Sequence, residues 1–302
     1  MRLKNLGRAL AICALAGAAA VSSTGVFAGC NDGHAEAKIT IEYDGTSYVL
    51  EYTMYRNMYP QTVQHFIELA DNRFYDDTII HDYQTSNWYG GGYSYLDGDA
   101  EAGEISYTQS YESDSLLEYL ETASKEKEYF DLADPANGKI TPSVYASVSN
   151  GKLVDPYRTL IGEFTQNNHK IENGALKNSY GALKFYYVSK SDDSCKKHVY
   201  LDKYGSAFGV QGEYRYNSAT SLFSIQTGTS TSTDSTHCVF ATLNNTDVLR
   251  SLRTAVTKSY DYEDVNVYVD NYDEILGSNK NQATYRITKK PIIVKSVRIT
   301  KY

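Results

Sequence analysis

The residues of this chain whose types and spacing could do chemistry are few. His81 and Asp82 close the β-rich run Thr78-Ile79-Ile80-His81, and His237 opens the apolar run His237-Cys238-Val239-Phe240. His81 reads as a structural histidine at a strand end, while His237 reads equally as a pocket rim or as scaffold. Asp97, Asp99 and Glu101 alternate before Gly103 as carboxylates do in a calcium loop. The glycine comes one place late and Thr108 stands where the closing glutamate belongs, so this is a solvated acidic loop. No Cys-x-x-Cys or Cys/His spacing points to zinc. Neither a metal nor a cofactor is expected.

The elements that must position these residues centre on residues 60–92. Pro60 suits a first helical turn, where a missing N–H costs nothing. Val63, Phe66, Ile67 and Ala70 follow at helical spacing and give one apolar face, which Asn72 ends. Phe74-Tyr75-Asp76-Asp77 reads as a turn into the strand that carries His81 and Asp82. Gly90-Gly91-Gly92 then permits backbone geometries and close approaches that a Cβ resists. Trp88, the sole tryptophan, lies in the aromatic turn before it and reads either as a ligand platform or as a pocket plug, with ligand contact favoured.

The composition sets bounds on partners. Hydrophobic residues make up 41% of 302, enough for a core, and tyrosine is frequent at 29 against 9 phenylalanines. Tyrosine-rich surfaces offer wettable contact area to proteins, although a biased surface explains the count equally well. The formal charge is −8; without Arg2, Lys4 and Arg8, 26 basic residues face 37 acidic ones, a balance of −11. Such a surface repels nucleic acid and anionic headgroups, which excludes nucleic-acid binding.

Residues 1–29 read as a secretory signal: three basic residues, the apolar run 9–21, then small residues. The run is short for a membrane span. Phe27-Ala28-Gly29-Cys30 resembles a bacterial lipobox, which implies a lipidated Cys30 and an extracytoplasmic lipoprotein held to the cell membrane by lipid alone. Cys13 then leaves with the signal. Cys238 reads as a core residue and Cys195 lies in a polar stretch; their pairing stays open.

Residues 30–37 read as a tether. Lys38 to Tyr43 and Ser47 to Thr53 alternate around Asp44-Gly45, which predicts a β-hairpin. Leu116, Leu117, Leu120 and Ala123 predict a helix over 115–130. Val248, Leu249, Leu252 and Ala255 predict another over 245–256. The domain is expected over 38–302, with insertions at about 94–157, 189–216 and 257–288. Mostly short strands and no βαβ alternation predict a mainly β chain built as a closed antiparallel barrel.

Five blocks in order resemble cyclophilin-type peptidyl-prolyl isomerases. They are the 60–92 stretch; Gly162-Glu163-Phe164 with Leu176-Lys177-Asn178-Ser179-Tyr180-Gly181-Ala182-Leu183; Asn217-Ser218-Ala219-Thr220-Ser221-Leu222-Phe223-Ser224-Ile225; His237 to Phe240; and Pro291 to Val297. The resemblance implies a closed eight-stranded antiparallel barrel capped by two helices, here with helical or irregular insertions. It also implies an activity. An X–Pro bond isomerises over a barrier near ~20 kcal/mol, which falls when a pocket grips the proline and a donor stabilises the twisted amide.

The family's site residues do not carry over. The catalytic Arg position is Asp82, and the Gln that orients it becomes Gly90. Pocket Phe and Met positions become Asn87 and Trp88, a second Gln becomes Leu222, and a pocket Phe becomes Ser224. Phe223 and the edge histidine, His237, are kept, and Phe223 reads as core. Arg56, Arg73 or Arg215 are the candidates to replace the charge in space. Two readings follow: a weak or inactive isomerase acting on proline-containing or exported, unfolded polypeptides, or a non-catalytic peptide-binding module using the groove. A solute-binding lipoprotein is less supported, since nothing suggests two lobes.

Overall fold

Alternation of apolar and polar residues makes the first hairpin. In the computed structural model, which describes residues 34–95, 124–126, 148–149, 152–153, 160–165, 169–171, 174–186, 218–230, 238–259, 262–268, 282–288 and 290–302, β1 (His34–Tyr43) pairs with β2 (Thr46–Tyr55). Ala35, Ala37, Ile39, Ile41 and Tyr43 face inward from one strand, and Leu50, Tyr52 and Met54 from the other. Asp44 and Gly45 both take positive φ, 50° and 72°, as a two-residue turn between right-twisted strands requires. The tether expected over 30–37 is overtaken by β1, which opens at His34.

The first helix, α1 (Pro60–Asp71), runs where its periodicity predicts and ends at Asn72. It buries Val63, Phe66, Ile67, Leu69 and Ala70, and the Phe66 ring packs against Tyr75, Phe185 and Phe240. Next come β3 (Thr78–Tyr83), β4 (Asn87–Tyr95) and β5 (Ser124–Glu126). β6 (Val148–Ser149) pairs with β7 (Lys152–Leu153). β8 (Leu160–Ile161) pairs with β10 (Ser218–Ala219), with β9 (Leu183–Phe185) between them in sequence. β11 (Phe223–Gln226) and β12 (Val239–Leu243) lead into α2 (Thr246–Lys258), which buries Leu249, Leu252 and Val256. β13 (Tyr262–Tyr268) and β14 (Gln282–Thr288) form a separate ribbon, and β15 (Ile292–Lys301) closes the chain.

The sheet order β11-β9-β12-β2-β1-β15-β3-β4 returns on itself because β4 also pairs with β11. The result is a closed antiparallel barrel of eight strands, with two helices among the described residues. α1 packs on β2, β8 and β15, and α2 on β1 and β2. No helix among the described residues is long and apolar enough to cross a membrane.

One expectation needs correction. Within the helix expected over 115–130, residues 124–126 are instead strand: Ser124, Lys125 and Glu126 pair with Tyr95, Ser94 and Tyr93. An open edge of β4 supplies hydrogen bonds that outweigh helix propensity. Within the insertion expected over 257–288, α2 runs on to Lys258 and the described residues 262–268 and 282–288 pair as the ribbon β13–β14. The insertion at 189–216, the acidic residues 97, 99 and 101, Cys30 and Cys195 lie outside the described residues. Cys238 is a buried free thiol.

Candidate functional site

Glu163 sets α1 in place from a distance. The helix starts after Tyr59 without a side-chain cap of its own and without an acid in its first turn. The buried Glu163 carboxylate accepts the N–H groups of Thr62 at 2.8 Å and Gln61 at 3.3 Å. An anion at the positive end of a helix satisfies both orphan donors and the dipole together. The turn after α1 then fixes β4. Tyr75 Oη donates to the Ser221 carbonyl at 2.9 Å, and Ser221 Oγ to the Gly91 carbonyl at 2.8 Å. Gly91 sits at φ 83°, and a Cβ there would stand 2.6 Å from the Ser221 oxygen. Only glycine fits that approach.

β3 is buried on both faces. Its register against β4 slips by one residue between Ile80 and Asp82, so Ile80 faces Gly90, Asp82 faces Tyr89 and Tyr83 faces Trp88. Residues opposite each other share a face. One face is therefore the barrel interior: Ile80, Tyr83, Trp88, Gly90 and Phe223. Trp88, expected as a ligand contact or a pocket plug, is fully buried in the core with its ring 5.1 Å from that of Tyr83. A Cβ on Gly90 would meet Phe223 Cζ at 2.9 Å and Ile80 Cδ1 at 3.0 Å. A side chain at 90 enters the core instead of bracing residue 82.

The opposite face carries a polar row across four strands: Asp82, Tyr89, Ser224 and Lys184. Asn87 and Gln226 stand opposite each other farther along β4 and β11. Asp82, Ser224 and Lys184 are closed off from solvent, while Tyr89 and Tyr186 are half-buried with rings 5.7 Å apart. Leu222 is buried, and its carbonyl accepts the Tyr186 N–H. His237 lies outside the described residues.

Asp82 is enclosed by the chain itself. Its Oδ1 accepts the main-chain N–H of Arg286 on β14 at 2.8 Å and the Gln84 side-chain amide at 2.5 Å. Tyr285, beside Arg286, packs edge-on against His81 and Tyr93 at 5.3 and 6.2 Å. Burial pushes the His81 imidazole down to about 3, against a hydrogen bond to the Ile79 carbonyl that favours the protonated ring, so the imidazole is neutral. The Arg286 guanidinium does not turn toward this face. It binds Asp264 in a fork at 2.8 and 3.0 Å and lies over the Tyr262 ring. Arg73 is exposed on the turn after α1, Arg56 is half-buried after β2, and Arg215 lies outside the described residues. No group of three or more metal-ligating side chains occurs among the described residues.

Tyr89, Lys184, Tyr285 and Arg286 belong to no motif that marks them in the sequence. Alternation of Leu183-Lys184-Phe185 could have placed Lys184 opposite the core. No local signal could have joined Arg286 to Asp82.

The model of the family described as cyclophilin type peptidyl-prolyl cis-trans isomerase/CLD matches residues 38–273. The chain belongs to this family. Two crystal structures of a Cryptosporidium parvum cyclophilin type peptidyl-prolyl cis-trans isomerase are similar at 13% identity. One match covers 89% of this chain and 99% of that chain with a TM-score of 0.40. The other, in the presence of the dipeptide Ala-Pro, covers 88% and 99% with a TM-score of 0.39. No curated protein matches the chain. As a cyclophilin-family domain it has the barrel, braced here by Glu163, Tyr75 and Gly91.

Proposed function

We propose that this cyclophilin-family protein binds proline-containing or exported polypeptides and has little or no isomerase activity. One observation supports the loss of catalysis: residue 82, where the family presents a cationic donor, is a buried carboxylate that accepts a hydrogen bond from β14. The twisted amide gains from a donor, and an enclosed anion offers none. Binding without catalysis is the second reading, and the half-buried Tyr89–Tyr186 pair on the same face favours it as a contact for polypeptide. The Phe27-Ala28-Gly29-Cys30 order supports lipidation at Cys30, an extracytoplasmic lipoprotein and a lipid-only attachment to the membrane.

A protease-coupled assay on succinyl-Ala-Ala-Pro-Phe-p-nitroanilide tests catalysis. We expect kcat/KM at least ~100-fold below an ordinary family member, the scale of losing one preorganised donor. Ordinary activity would mean that another residue supplies the charge. Mass analysis of the mature chain tests anchoring; an unmodified N-terminus other than Cys30 would refute it.

A further inference from the structure

We propose that the ribbon β13–β14 is the resident occupant of the family's peptide-binding face, and that an outside polypeptide binds there by displacing it. This rests on reading Asp82 as the former catalytic position. In the family, residue 82 would donate to a bound polypeptide. Here the polarity is reversed: Asp82 accepts, and the donor is the backbone N–H of Arg286, a strand of the same chain. The ribbon thus meets position 82 as an extended peptide ligand would, through its main chain.

Three features fit a displaceable occupant. The ribbon's strands pair over seven residues, from Tyr262 opposite Thr288 to Tyr268 opposite Gln282, and form their own sheet with no ladder to the barrel. Lifting it breaks no barrel hydrogen-bond ladder. It carries cross-strand contacts of its own, since Arg286 forks onto Asp264 and covers Tyr262 across the ribbon. It meets β3 and β4 through the Arg286 N–H on Asp82 and the Tyr285 ring packed on His81 and Tyr93, with Tyr285, Ile287 and Thr288 of β14 buried. The junction residues Ser259 and Lys290 mark short connections to α2 and β15, so a lifted ribbon stays tethered beside the face.

The experiment uses the full chain and succinyl-Ala-Ala-Pro-Phe-p-nitroanilide as the probe. Tyr285→Ala removes the ring packed on His81 and Tyr93, and Arg286→Pro removes the donated N–H. Each should tighten probe binding by about 10-fold, the gain expected if the unmodified ribbon is open in about a tenth of molecules. Amides of β1 and β15 should stay protected from hydrogen exchange in both variants. In the unmodified chain, saturating probe should strip protection from the Arg286 amide. Variants that keep the barrel protected yet bind no better overturn the proposal, as does probe binding with Arg286 still protected. Loss of barrel protection together with the ribbon also overturns it, because the ribbon would then belong to the barrel's folding unit. The isomerase rate of the unmodified chain decides the proposed loss of catalysis separately. Weak activity with an immovable ribbon ends only the present inference.

Discussion

The main-chain N–H of Arg286 donates to the Asp82 carboxylate at 2.8 Å across 204 residues of sequence. That bond joins β3 to the ribbon β13–β14 and fixes what residue 82 can be. Asp82→Arg removes the acceptor and places a cation in a site closed to water. We expect no gain in isomerase rate and a stability loss of about 3 kcal/mol or more, the scale of breaking a buried charge's partnership. Urea denaturation alongside the prolyl-peptide assay measures both. An Asp82→Arg protein of unchanged stability and raised activity would refute the enclosed geometry.

Rebuilding the orienting glutamine should fail for a steric reason. A side chain at Gly90 enters the space of Phe223 and Ile80. Gly90→Gln should cost about 1–3 kcal/mol by overpacking and should not assist Asp82→Arg. Gly91→Ala should cost about 2–4 kcal/mol, because it adds left-handed strain to the 2.6 Å clash with Ser221. Midpoints of urea unfolding for the two variants would show the order, with Gly91→Ala the less stable.

Glu163 should behave as the cap of α1. Removing its carboxylate in Glu163→Ala strands the Thr62 and Gln61 N–H groups and should cost about 2 kcal/mol. Glu163→Gln keeps an acceptor and should lose about half as much. Equal losses in the two variants would mean that the charge, not the hydrogen bonds, holds the helix.

Two buried histidines make stability depend on pH. Burial holds His65 at about 4 and His81 at about 3, below the ordinary value near 6.5. Between those values the unfolded chain takes up protons that the folded chain excludes. Their contribution is thus complete above pH ~6.5 and is lost as pH falls toward 3–4, with a slope approaching about 1.4 kcal/mol per pH unit for each. Unfolding free energies at pH 7 and pH 5 should differ in that direction. His81→Phe, which keeps an aromatic ring beside Tyr93 and Tyr285, should flatten the difference; an unchanged slope would exclude His81 as a source.

Local chemistry determined much of this fold. The Asp44-Gly45 turn, the apolar faces of α1 and α2 and the strand of Thr78 to His81 follow from neighbours within four residues, which sequence spacing reports directly. The five ordered blocks carried the family as well. The tertiary structure alone decided the state of the site. Spacing gives the alternation of faces along β3 and β4, but a one-residue slip in register after Ile80 decides which residues stand opposite one another. That slip leaves Trp88 and Gly90 inward while Asp82 stands on the other face. Whether that face meets water depends on Tyr285 and Arg286, about two hundred residues away, whose approach has no periodic signature. The same holds for residues 124–126: their own spacing favours helix, and an unpaired edge of β4 makes them strand.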